Sequence, residues 1–127
     1  MSSRIGQPTN GNPPSSTLRT VAVVDIGSTS IRMAIAQIEG QGQVSTLEEV
    51  SRAVSLGKDT FTNQEISRES IEECVRILRS YRRLMQEYGI TRPDQVRLVA
   101  TSAVREASNR LAFLDRIYIA TGLEVKI

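Results

Sequence analysis

The sequence predicts a single α/β domain built on a mixed sheet, with its elements in the order β-β-β-α-β-α-β. Three observations carry this. Two β-branched apolar runs, residues 20–26 and 30–38, are separated only by a Gly-Ser turn and so must pair as an antiparallel hairpin. The stretch after Ser67 repeats apolar residues at three- and four-residue spacing, the pattern of an amphipathic helix. Strand-like runs at 96–101 and 123–127 then flank a second helical stretch, as in a crossover to a parallel strand.

Taken in order, residues 1–19 come first. They hold three of the four prolines and no acid, too little apolar surface to offset the entropy of ordering. They are expected to form a disordered leader, with residues 20–127 as the folding domain. The run TVAVVDI, residues 20–26, suits a strand buried on both faces. In the second strand Ile31, Met33, Ile35 and Gln37 share one face, and Arg32, Ala34, Ala36 and Ile38 the other. Gly40-Gln41-Gly42 turns the chain into a third strand, about 43–53, completing a meander. Residues 54–66 show no period and read as a loop. Ser67 is a good N-cap, Ile71, Cys74, Val75, Leu78, Tyr81, Leu84, Met85 and Tyr88 form the apolar stripe, and Gly89 stops the helix. A strand at 96–101 is followed by a helix at about 106–121 carrying Leu111, Leu114, Ile117 and Tyr118 and ended by Gly122. The helices are expected to pack on both faces of the sheet.

Composition excludes several kinds of chemistry. The formal charge of +2 comes from 16 basic and 14 acidic residues, and Arg4 and Arg19 in the leader account for all of the excess. A neutral domain with two Phe, three Tyr and no Trp offers neither a basic face nor a stacking platform, so no nucleic-acid partner is expected. Cys74 is the only cysteine, which excludes an internal disulfide. With no histidine, the chain has no Ser-His-Asp or Cys-His triad and no His-ligated zinc. There is no apolar run of membrane-spanning length and no signal-peptide core, so a cytoplasmic protein with no membrane partner is expected. Cys74 reads as a core residue of the first helix, and Arg76, Arg79, Arg82 and Arg83 as its solvated face. Glu48 and Glu49 point to opposite faces of a strand and do not form an acid/base pair.

The chemistry concentrates at VVDIGSTSIR, residues 23–32. Gly27 permits positive φ and close approach of a ligand to the backbone. Ser28, Thr29 and Ser30 add hydroxyls and successive amides, and converging amides make an anion cradle. Asp25, at the end of a buried strand, suits a Mg²⁺ ion held largely through water, because a hard ion takes oxygen ligands and keeps its own hydration. Arg32 supplies a planar fork for phosphate. The same Asp and Gly are also what an ordinary hairpin turn uses, and on spacing alone both readings stand.

The segment VAVVDIGSTSIRMAIAQI resembles the first phosphate segment of the exopolyphosphatase and guanosine pentaphosphate phosphatase family, part of the actin-like ATPase superfamily. Asp25, Ile26, Gly27, Ser28, Ser30 and Arg32 match its pattern. The block VATSAVREASN, residues 99–109, matches a second family pattern through Ala100, Thr101, Ala103, Arg105, Ala107 and Asn109. Ser55-Leu56-Gly57 fits a weaker site after the third strand. The resemblance implies a ribonuclease-H-like half-domain over residues 20–127. It also implies a Mg²⁺-dependent phosphohydrolase that releases the terminal phosphate of inorganic polyphosphate or of guanosine pentaphosphate. By this resemblance Asp25 positions the metal, Gly27, Ser28, Thr29 and Ser30 cradle phosphate, and Arg32, Thr101 and Arg105 contact substrate. For Arg105 the ordinary alternative is an ion pair at a helix start.

The family's catalytic Glu lies in a block beyond the LEVKI segment with which this sequence ends, and the second phosphate segment and second lobe lie further on. No catalytic residue is therefore assigned here. The expectation is the N-terminal part of a longer enzyme, inactive alone, whose full-length parent is compatible with a homodimer. Two alternatives stay open: a non-catalytic polyphosphate or nucleotide-binding remnant, and a fragment of a sugar- or acetate-type kinase.

Overall fold

The computed structural model describes residues 18–127. The expected leader falls outside that span except for Leu18 and Arg19, and Arg19 already opens the first strand. Strands β1 (Arg19–Ile26), β2 (Ser30–Ile38) and β3 (Val44–Ala53) form the meander. They are followed by α1 (Leu56–Asn63), α2 (Arg68–Glu87), a 3-10 turn (Pro93–Gln95), β4 (Val96–Ala100), α3 (Ser102–Arg105), α4 (Arg110–Thr121) and β5 (Val125–Lys126). The five strands make one mixed sheet in the order β3-β2-β1-β4-β5. β1 and β2 pair antiparallel, as do β2 and β3, while β1–β4 and β4–β5 are parallel. This is the α/β architecture the element order predicts.

Register decides which side chains share a face. Val24 lies opposite Met33 on one side and Leu98 on the other, and Ile26 opposite Ile31 and Ala100. With Ala22 and Ile35 these side chains are buried. α2 covers them, and Tyr81 donates its hydroxyl to the Ile31 carbonyl at 2.7 Å, tying helix to sheet. Tyr88 likewise donates to Glu48 Oε2 at 2.6 Å, while Glu49 points to the other face. Ser67 caps α2 as expected, its hydroxyl accepting from Ser70 N at 3.1 Å. Gly89 stops the helix with φ near +79°. Cys74 is buried in the core, and burial, the largest cause, pushes its thiol up to about 12. α4 packs against α2, where Arg116 and Glu72 form a two-bonded ion pair at 2.8 and 2.9 Å.

Four expectations need correction. First, β1 is not buried on both faces: Val23 is 46% exposed, and the face it shares with Asp25, Arg32 and Ala34 is open among the described residues. The described packing on the sheet is one-sided. Second, residues 54–66 are not all loop, because α1 occupies 56–63. Its buried residues are Leu56, Gly57 and Thr60, and two of these three carry no apolar signal. Third, the expected helix at about 106–121 starts only at Arg110, and a separate short helix, α3, occupies Ser102–Arg105 in the segment read as its lead-in. Fourth, α4 buries Phe113 and Ile117, while Leu111 and Tyr118 are 74% and 56% exposed. Apolar residues surround this helix, so their spacing defines no single inward face.

Candidate functional site

The β1–β2 connection is three residues long, Gly27, Ser28 and Thr29. Its hydrogen bonds are asymmetric. Gly27 N donates to Ser30 O at 2.9 Å. The carbonyls of Ser28 and Thr29 accept from Gly57 N at 2.9 Å and Val54 N at 3.0 Å. The amides of Ser28 and Thr29 have no protein acceptor among the described residues. A loop that spends its carbonyls inward and leaves successive N–H groups free presents partial positive charge at its tip.

Gly27 does not have the positive φ expected of it; among the glycines that do are Gly42, Gly89 and Gly122. Its smallness matters for another reason, since a Cβ there would sit 3.2 Å from the Ser30 carbonyl oxygen that its own N–H engages.

Asp25 precedes this loop on the open face of the sheet, in register with Arg32 across the hairpin. Asp25 Oδ1 is shielded from solvent and accepts no hydrogen bond among the described residues. An orphaned carboxylate oxygen is costly to bury and normally has a partner. Arg32 is exposed and forms no ion pair among the described residues. The two line an open groove of about 620 Å³ together with Val23, Ala34, Glu49 and Ser51. Among the described residues no three carboxylate, cysteine or histidine side chains cluster as a metal cage.

Thr101 joins this site from the other side. It follows the end of β4, and both its N–H (3.2 Å) and its hydroxyl (3.3 Å) donate to the Ile26 carbonyl at the end of β1. The hydroxyl is therefore engaged in holding β4 to the turn. Arg105 lies one helical turn further along α3. It is exposed, and the ion pair that was its ordinary alternative is not formed among the described residues. Its carbonyl accepts from Arg110 Nη1 at 2.8 Å. The fold thus gathers Asp25, Gly27, Ser28, Thr29, Ser30 and Thr101 at one end of the sheet, with Arg32 across the hairpin and Arg105 on the adjoining helix.

Other contributors carry little sequence signal. A Cβ on Gly57 would lie 2.9 Å from Ser28 Cβ, so only glycine lets α1 approach the turn this closely. Thr60 Oγ1 donates to Ala103 O at 2.7 Å, in a buried bond from α1 to α3. Asn109 brackets the backbone of Ile66, donating from Nδ2 to its carbonyl at 2.8 Å and accepting at Oδ1 from its N–H at 3.0 Å. The Leu-Gly pair after β3 was the only visible hint of Gly57, and a lone buried threonine gives none.

Known proteins share this fold. The model of the Ppx/GppA phosphatase family matches residues 34–127, a span that includes Thr101–Asn109 and begins two positions after Arg32. Among solved structures, the Aquifex aeolicus member of that family is 38% identical with a TM-score of 0.78, over 86% of this chain and 34% of that one. An exopolyphosphatase from Cytophaga hutchinsonii is 28% identical with a TM-score of 0.76, over 84% of this chain and 33% of that one. A bifunctional 3-dehydroquinate synthase/phosphatase from Fusobacterium nucleatum is 30% identical over 108 residues, 82% of this chain and 16% of that protein. The chain therefore spans about a third of the length of these solved structures and less of the bifunctional enzyme. The five-stranded mixed sheet is the actin-like ATPase half-domain of these neighbours. By the extent of the family match, the chain belongs to the Ppx/GppA phosphatase family.

Proposed function

We propose that this chain is the phosphate-holding first part of a Mg²⁺-dependent phosphohydrolase, one that releases the terminal phosphate of inorganic polyphosphate or of guanosine pentaphosphate. The observation that carries the reading is the unspent pair of amides at Ser28 and Thr29, next to the orphaned carboxylate oxygen of Asp25. Amides, serine hydroxyls and the Arg32 and Arg105 guanidiniums suit a polyanion, and the terminal phosphoanhydride is common to both substrates.

A lone carboxylate fits Mg²⁺ in a limited way. This ion commonly binds one or two carboxylates and fills its remaining positions with water and substrate phosphate. When bound, it would neutralise charge on the phosphate oxygens. Asp25 would hold it, the Gly27–Ser30 turn would orient the terminal phosphate, and Arg32 would approach from across the hairpin.

Hydrolysis is assigned to a protein of the relatives' length and binding to these 127 residues, which are inactive alone. A cytoplasmic location and a homodimeric parent belong to the same proposal. Calorimetric titration of the chain with tripolyphosphate should show binding that needs Mg²⁺, is lost in Asp25→Ala and is weakened in Arg32→Ala. Absence of binding at millimolar tripolyphosphate would overturn the reading. Phosphate release by the chain itself, abolished by Asp25→Ala, would overturn the assignment of hydrolysis to the longer protein.

A further inference from the structure

We infer that α1 is a strut setting the spacing between the two phosphate-contacting segments, and that Gly57 and Thr60 are its positioning residues. The inference rests on the binding reading above. At its first turn α1 meets the Gly27–Thr29 loop. Gly57 N donates to Ser28 O and Val54 N to Thr29 O. The planar trans peptide that carries the Ser28 carbonyl also carries the Thr29 N–H, so holding that carbonyl against α1 turns the Thr29 amide away from it.

The far end of the strut meets the second segment. Thr60 donates to Ala103 O, Ser108 N donates to Gln64 O at 2.8 Å, and Asn109 holds both the N–H and the carbonyl of Ile66. Leu56 is buried, so the helix cannot slide without opening the core. The path from Ser28 through Gly57 and Thr60 to Ala103 and Arg105 is continuous. It joins two segments that lie far apart in sequence and act on one ligand.

The position of Gly57 is the sensitive one. The nearest atom to an added Cβ is Ser28 Cβ, which is bonded directly to the loop backbone and cannot swing away as a side-chain tip would. A methyl there must push either the loop or the helix. Displacing a binding group by about 1 Å can cost up to ~10²-fold in function. Gly57→Ala is therefore expected to weaken Mg²⁺-tripolyphosphate binding on the order of tenfold or more.

The test is a double-mutant cycle on the 127-residue chain, read by calorimetry with Mg²⁺-tripolyphosphate and by the thermal midpoint. Gly57→Ala should lose binding while the chain stays folded. Ser28→Gly removes the obstructing atom, so Gly57→Ala should cost little in that background, a coupling that helix propensity alone would not produce. Thr60→Val should weaken binding less than Gly57→Ala does, and Thr60→Ser, which keeps the hydroxyl, should restore it. If Gly57→Ala does not fold, the Thr60 pair decides the matter by itself. Equal binding by wild type, Gly57→Ala and Thr60→Val would overturn the strut and leave the binding reading intact. Absence of tripolyphosphate binding by the unaltered chain would overturn both, starting with the binding reading.

Discussion

The two faces of the sheet are built from the same strands and differ in what they contribute. On the helix-covered face, Ala22, Val24, Ile26, Ile31, Met33, Ile35, Leu98 and Ala100 are buried against one another and the helices. On the opposite face the alternate residues are Val23, Asp25, Arg32, Ala34, Glu49 and Arg97, several of them exposed. Because side chains alternate along a strand, one hairpin supplies core from its even positions in β1 and candidate chemistry from its odd ones. Core packing and the candidate site are therefore separable almost residue by residue, and substitutions on the two faces should report on different quantities.

The largest effect should come from hollowing the covered face. Ile35→Ala removes a fully buried side chain well away from the turn, and should cost about 2–5 kcal/mol in urea unfolding. A loss below 1 kcal/mol would mean that the face is not packed as described. Tyr81→Phe is the intermediate case. It keeps the ring under the sheet but deletes the hydroxyl that reaches the Ile31 carbonyl, and should cost about 1 kcal/mol by the same measurement. On the open face Val23→Thr should change stability by less than ~0.5 kcal/mol, the usual range for exposed positions. A large destabilisation by Val23→Thr would erase the contrast between the faces, since it would show that the open face is packed in solution.

The same contrast explains what could be read from the sequence. The meander was legible because both strands obey the two-residue alternation and the connecting turn is short, and the β2 bounds, Ser30–Ile38, coincide with those expected. α2 was legible because one stripe of its surface is apolar, although Ile77, also buried, was not included in it. α1 was not legible, because it docks through a glycine and a threonine whose contribution is close approach and a single hydrogen bond. The inward face of α4 was misjudged because apolar residues surround that helix, and only its partners, α2 and β5, select Phe113 and Ile117. At the site, residue types pointed to the Asp25–Arg32 segment. The positive φ that glycine permits is not used at Gly27, and the bond from the Thr101 hydroxyl to the Ile26 carbonyl left no trace in the sequence, since both depend on which neighbour each group meets.

The central position of β1 has a consequence for how the chain assembles. One edge of β1 is satisfied early, by β2 across a three-residue connection, and the meander is complete by Ala53. Its other edge must wait for Val96–Ala100, the far end of a long loop closure. Contacts so distant in sequence slow folding, and an unpaired edge is a template for pairing with another chain. Between the synthesis of β3 and the arrival of β4, residues Ala22–Ile26 are the stretch on which misassembly would begin. A variant that docks β4 faster is then expected to expose that edge for less time and to lose less material to misassembly at high concentration.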